Sequence, residues 1–281
     1  MILIADSGAT KTDWRIVYDK DHIKQTSTEG INPHYQTSAQ VTNIMTEAIH
    51  LDKLPEKVKY IYFYGAGITS GAKIKEIESA ILQSFQVEKV EVNTDILGVA
   101  RSLCGSQPGI VAMLGTGSAS CLYDGKKITH QVPSLGYILG DEGSGAHLGK
   151  KLLANYLRGF MPKDLEKKFN KMYQIDKEYV LNELNKGKVP SRFLGSFSEF
   201  IHSNIHFPFM HKLVSESFRE FIEYYVVPYA EFGNYKVNFC GSIAFYFSNV
   251  LSRECSDFKL PLGKIVKSPI AGLTLYHLQL I

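Results

Sequence analysis

Cysteine is scarce and scattered in this chain of 281 residues, and Cys104, Cys121, Cys240 and Cys255 form no C-x-x-C pair. That spacing argues against a zinc site, a redox dithiol or a disulfide framework, and leaves buried free thiols as the expectation. No window approaches the roughly 18 consecutive apolar residues of a membrane span. The opening Met1-Ile2-Leu3-Ile4-Ala5-Asp6 lacks the basic region and small-residue cleavage site of a secretory leader, so a cytoplasmic protein without a membrane partner is expected. Basic clusters are missing too. The formal net charge is +3 with lysines and arginines spread out, which removes the long-range field a nucleic-acid partner needs. Neither the Walker spacing G-x-x-x-x-G-K-[ST] nor a G-x-G-x-x-G turn leading into a helix occurs, so P-loop and Rossmann readings fall away.

What is present is the composition of a globular chain with a sizeable core, 44% hydrophobic and 21% charged. Residues 2–6 form an apolar run ending in Asp6, followed by Ser7-Gly8-Ala9-Thr10-Lys11-Thr12-Asp13 and a second run at 14–18. That pattern predicts a strand, a tight turn and a returning strand, with a third strand at 23–28. Helical spacing predicts helices over 38–50, capped by Ser38, and over 73–85, with strands at 60–64 and 90–92 between and after them. A short helix follows Asp95. The order β-β-β-α-β-α-β-α suits a ribonuclease-H-like layer of sheet and helices.

After Gly105-Ser106-Gln107-Pro108-Gly109 the opening pattern returns: a strand at 110–114, the turn Gly115-Thr116-Gly117-Ser118 and a strand at 119–123. Asp124-Gly125 then signals a hairpin into a strand at 128–132. The repetition predicts an internal duplication and two domains, 1–108 and 109–281. Helix is expected at 144–160, through 162–210 with breaks at Gly187, Pro190 and Pro208, and at 211–228. A strand at 237–240, one helix from Ile243 to Leu251 and a short strand at 265–266 follow. A terminal helix, 269–281, is placed to complete the first domain.

A phosphate chain needs backbone N–H donors on a tight curve, and glycine gives both the room and the positive φ. Two loops meet that need, Asp6-x-Gly8-x-Thr10 and Gly115-Thr116-Gly117-Ser118. Each taken singly could also be a plain glycine hairpin. Asp6 closes its strand at the mouth of the first loop, where a carboxylate could hold Mg²⁺ beside substrate phosphates or cap the turn by bonding Gly8 or Ala9. Asp95 stands at a strand end and could be a base or the N-cap of the helix that follows. His147 reads as structural or solvent-facing, because no Cys, His or acid stands at metal spacing on its face.

Five segments together resemble the N-acetylglucosamine kinases and BadF-type ATPases of the actin-like superfamily, in that family's order over nearly the whole chain. They are Asp6 to Thr12, Asn93-Thr94-Asp95-x-x-Gly98-x-Ala100, Leu114 to Ser118, Gly136-Tyr137-x-x-Gly140-Asp141-Glu142-Gly143-Ser144, and Phe239-Cys240-Gly241-Ser242. The resemblance implies an α/β fold of two ribonuclease-H-like domains with an interdomain nucleotide cleft, a helical insertion at about 162–210, and ATP with Mg²⁺ as the working pair. It implies an ATP-dependent kinase that phosphorylates an amino sugar, N-acetylglucosamine first, with Asp95 as the base. Ser7, Gly8, Ala9, Thr10, Lys11, Gly115, Thr116, Gly117 and Ser118 would meet the phosphates, and Gly241 and Ser242 the adenosine. Asn32, Gly65, Ala66, Gly67, Asp95, Thr116 and Asp141 would meet the sugar, with Asp6, alone or with Glu142, at the metal.

Tyr137 stands where family members commonly carry Trp, which bears on how the sugar's acyl side is enclosed. Two other functions fit the same segments: an activator of a dehydratase, which needs cluster-holding cysteines near the glycine-rich motif, and a silent sugar sensor. A homodimer is an open possibility of assembly.

Overall fold

A computed structural model describes residues 1–8, 10–187, 189–229 and 233–279. The chain divides into two compact units. The first comprises Met1–Gln107, Gly125–Lys127 and the residues from Pro269 on; the second comprises Pro108–Asp124 and Ile128–Ser268.

Unit 1 begins β1 (Ile2–Ser7), β2 (Lys11–Val17), β3 (Ile23–Glu29), α1 (Ser38–His50), β4 (Lys57–Gly65), α2 (Gly71–Ser84), β5 (Gln86–Thr94) and α3 (Asp95–Cys104). Its sheet has the order β3-β2-β1-β4-β5, antiparallel through the opening meander and parallel from β1 onward. The continuous apolar run of β1 follows from burial on both faces. Leu3 and Ala5 join a core with Trp14, Val41, Met45, Ile77 and Ile81, while Ile2 and Ile4 turn the other way onto Tyr64 and Leu273. The single tryptophan, Trp14, is fully buried and donates its indole N–H to Thr28 Oγ1 at 2.9 Å.

Unit 2 begins with β6 (Gly109–Leu114), β7 (Ser118–Tyr123) and β8 (Ile128–His130), then α4 (Gly136–Leu139), α5 (Gly145–Leu157), α6 (Lys163–Tyr173), α7 (Lys177–Lys186), α8 (Pro190–Gly195), α9 (Ser198–Ser203) and α10 (Pro208–Tyr225). It ends with β9 (Val237–Cys240), α11 (Ser242–Tyr246), α12 (Ser248–Asp257) and β10 (Leu262–Val266), after which α13 (Ile270–Leu278) returns to unit 1. Its sheet order, β10-β9-β6-β7-β8, repeats that of unit 1 strand for strand. One large core fills the unit, with Phe169, Phe197, Phe200, Phe218, Phe221 and Phe239 in it.

Several local expectations shift. Thr37, one residue earlier than Ser38, caps α1, and Gln40 returns a bond to the Thr37 N–H to complete a capping box. The expected breaks at Gly187, Pro190 and Pro208 fall between helices, and each proline opens the helix after its break, α8 and α10, because a helix's first turn has no use for the missing N–H. The helix expected from Ile243 to Leu251 is split at Phe247, whose backbone leaves helical geometry while its ring stays buried against Phe218 and His202. β8 stops at His130, two residues short of the expected strand.

Candidate active site

In unit 1 the parallel register decides which residues meet. Asp6 lies opposite Tyr64 and Ser7 opposite Gly65, while Gly65 lies opposite Thr94. The carboxyl ends of β1, β4 and β5 therefore bring Asp6, the Gly65-Ala66-Gly67 turn and Asp95 to one edge of the sheet. Open α/β sheets present ligands at this end of their strands.

Thr94, not Asp95, is the N-cap of α3, its hydroxyl accepting the Leu97 N–H at 3.3 Å. Asp95 is the first helical residue, with Oδ1 accepting the Ile96 N–H at 2.8 Å. Burial raises its carboxyl to about 6 against the pull of those backbone N–H groups. Asp6 is pushed further, to about 7, first by burial and then by the charges of Asp95 and Asp13. The Gly8 N–H bonds Lys11 O at 3.0 Å, so Asp6 does not cap that turn at Gly8; Ala9 lies outside the described residues. No hydrogen bond reaches the Asp6 carboxylate among the described residues. A half-buried carboxylate without a partner, repelled by a neighbour, is the donor chemistry a divalent cation relieves.

Asn32 is buried, and its Oδ1 accepts the His34 N–H at 2.9 Å, which leaves its amide N–H groups as donors. Gly67, at φ +77°, lies so close that an added Cβ would strike the Asn32 side chain. The Ala66 N–H bonds Ser7 O at 2.9 Å. Asn32 and the Gly65–Gly67 turn thus form one wall. The Ser7 hydroxyl is already engaged, buried 2.6 Å from Thr12 Oγ1 and 3.0 Å from both backbone groups of Ile31. It anchors the strand end to the segment carrying Asn32. Thr10 is exposed, and Lys11 pairs with Asp13 at 2.7 Å.

In unit 2 the loop 115–118 is cross-braced. The Gly115 N–H bonds Gly117 O, and the first-turn amides of α5, Gly145 and Ala146, bond the carbonyls of Gly115 and Thr116 at 2.8 and 3.0 Å. The Ser118 N–H bonds Asp141 Oδ1 at 3.2 Å. Asp141 is buried, which raises its carboxyl against that bond. Asp141 therefore supports the loop from behind, a role the sequence did not show. Its carboxylate is also why residue 117 is glycine, since a Cβ there would stand 3.0–3.3 Å from those oxygens. Left without partners among the described residues are the N–H groups of Thr116 and Gly117 and the buried Ser118 hydroxyl. Unpaired backbone N–H groups on a glycine turn are the donors an anion takes.

Gly241, at φ +120°, lies where an added Cβ would strike the Leu114 carbonyl and come 3.2 Å from the Gly115 nitrogen. The Gly241-Ser242 corner is thus brought against the loop. Glu142 and the Tyr225 hydroxyl both flank Gly140. His147 is buried, not solvent-facing.

Two sheets of one topology, with glycine loops at equivalent corners and acids at strand ends, define the α/β, two-domain actin-like ATPase fold, of the ribonuclease-H-like kind. MreB5 of Spiroplasma citri shares that fold at TM-score 0.59 and 10% identity over 99% of this chain and 95% of that one. The chain belongs to the N-acetylglucosamine kinase-like group of the actin-like ATPase and sugar kinase superfamily. A Porphyromonas gingivalis protein named as a candidate N-acetylglucosamine kinase is 37% identical, covers 99% of both chains and superposes at TM-score 0.90. A Chromobacterium violaceum protein with the same provisional name shares the fold at TM-score 0.75 and 19% identity, covering 98% of each chain. No family model matches the chain, and no curated protein does. No helix among the described residues is long and apolar enough to cross a membrane.

Proposed function

We propose that this protein is an ATP-dependent sugar kinase that transfers the γ-phosphate to a hydroxyl of an amino sugar, with N-acetylglucosamine as the acceptor. The observation that carries the reading is the pair of half-buried carboxylates, Asp6 and Asp95, at the strand ends of one sheet, the charge of Asp95 helping to raise Asp6. The name of the Porphyromonas gingivalis relative supplies the acceptor.

In this reading Asp95 takes the proton from the attacking hydroxyl. At about 6 its carboxyl is ionised at neutral pH, yet it is a better base than an ordinary aspartate. Asn32 donates its amide N–H groups to sugar hydroxyls, and the Gly65–Gly67 turn closes the wall behind it. The N–H groups of Thr116 and Gly117 and the Ser118 hydroxyl hold phosphate oxygens, with the Gly8 turn, Thr10 and Lys11 as the second phosphate contact. Gly241 and Ser242 border the adenosine. Asp6, with or without Glu142, would hold Mg²⁺, and the bound ion would neutralise charge developing on the phosphates. Asp141 shapes the 115–118 loop while its second oxygen serves as the sugar-side acid.

The test is a panel of amino sugars in one coupled ADP-release assay, including glucosamine, N-acetylmannosamine and N-acetylmuramic acid. The highest kcat/KM is expected with N-acetylglucosamine. Equal rates with every sugar and with none would leave a nucleotide hydrolase in place of a kinase.

A further inference from the structure

Unit 2 buries a polar array that the proposed chemistry does not use. His147 and Ser217 are both buried, and Ser217 Oγ lies 2.7 Å from His147 Nδ1 and 3.1 Å from the Gly143 nitrogen. Across the ring, His147 Nε2 stands 3.3 Å from Glu220 Oε2, and the other Glu220 oxygen accepts from Lys151 Nζ. With a neutral ring, donor and acceptor chemistry sets the direction of each bond. A backbone N–H and an ammonium only donate, and a carboxylate only accepts. Nε2 must then carry the ring proton, so Nδ1 accepts from the Ser217 hydroxyl, whose lone pair receives the Gly143 N–H. Burial lowers His147 to about 4, which keeps the ring neutral near pH 7 and the Ser217 hydroxyl donating to it.

The far end of this array is a turn that needs holding. Asp141, at φ +60°, and Gly143, at φ +74°, are both at positive φ, a conformation uncommon outside glycine. Gly143 is pressed between Phe221 and Leu114, and Phe221 sits one helical turn beyond Ser217 on α10. The Ser144 N–H bonds Asp141 O at 3.1 Å, and Asp141 in turn bonds Ser118. Gripping Gly143 therefore fixes Asp141, and fixing Asp141 fixes the 115–118 loop through Ser118.

We propose that His147 and Ser217 are positioning residues that hold the Asp141–Gly143 turn, and through it set the geometry of the 115–118 loop. The kinetic consequence rests on the phosphate-binding reading of that loop; the structural consequence does not.

Three variants separate positioning from simple packing. His147→Asn places an amide oxygen where Nδ1 stands and keeps an acceptor for Ser217. His147→Gln puts its amide near Nε2 instead, and Ser217→Ala removes the bond to Gly143 outright. Hydrogen exchange in a peptide spanning residues 140–145 is expected to quicken about 10-fold in His147→Gln and Ser217→Ala while His147→Asn stays near wild type. In the same order, KM for ATP is expected to rise about 10-fold with KM for the sugar changed less than about 2-fold. If His147→Asn matches His147→Gln, or if exchange at 140–145 is unchanged in all three, the proposal is overturned. Should Ser217→Ala not fold, the contrast between the two His147 variants decides. A wild-type protein without ATP turnover would overturn the kinase reading alone, because the exchange measurement needs no substrate.

Discussion

The two sheets are copies in topology and opposites in electrostatics. Unit 1 turns from β1 to β2 between the pair Ser7 and Thr12, and unit 2 turns from β6 to β7 between Leu114 and Ser118. Counting back one residue from each turn gives Asp6 in the first unit and Met113 in the second. Around Asp6 gather Asp95 and Asp13, whose charges raise it, with no hydrogen-bond donor on it among the described residues. In unit 2 the one carboxylate at the loop, Asp141, is already satisfied by the Ser118 N–H, and the unused groups are donors. One scaffold has thus been divided: unit 1 stores uncompensated negative charge, which suits a base and a cation, and unit 2 stores uncompensated donors, which suit phosphate.

That division can be broken from either side. The largest effect is expected from Asp95→Asn, which keeps the Ile96 N–H bonded but removes the base; kcat in the ADP assay should fall at least about 10²-fold. Unchanged turnover would remove Asp95 from the chemistry. Next comes Gly241→Ala, where the left-handed backbone and the Leu114 carbonyl leave no room for a Cβ. A loss of about 3 kcal/mol or more in urea unfolding is expected there. A glycine of the first loop of unit 1 offers the contrast: Gly8→Ala meets nothing nearer than Lys11 O at 3.7 Å, and its cost should stay below about 1 kcal/mol. Equal costs at the two glycines would erase the structural contrast.

Asp6 and Asp95 sharpen it through pH. Their folded-state pKa values, about 7 and about 6, are raised above the ordinary aspartate value. The folded protein therefore keeps protons that the unfolded chain has already lost, and the slope of unfolding free energy with pH is negative across that interval. Stability from these groups is full below about pH 4, the unfolded value, and is lost as pH rises through about 6 and 7. Without ligands, urea unfolding should show a protein less stable at pH 8 than at pH 5. Asp6→Asn should recover about 2 kcal/mol at pH 8 while weakening Mg²⁺-dependent ATP binding. A flat pH profile, with no gain from the substitution, would mean the charge is compensated.

Legibility followed sequence distance. The apolar strand at 2–6, the duplicated strand-turn-strand units and the glycine turns could be read because each is a local pattern with its own period or backbone demand. Pairings across the chain could not. Nothing near Ser7 announces that its hydroxyl serves Ile31, 24 residues on, and nothing near Asp141 announces Ser118, 23 residues back. His147 and Ser217, 70 residues apart, meet only because α5 and α10 pack together. One helix end was misread by a residue, at Thr37 in place of Ser38, and at α3 the cap that stood as the alternative role for Asp95 falls to Thr94.

The most direct test of the two-acid, three-donor assignment is the product itself, followed by ³¹P NMR with MgATP and N-acetylglucosamine. We expect ADP and a sugar phosphate ester to appear together in equal amounts. ADP accompanied by inorganic phosphate and no ester would contradict it.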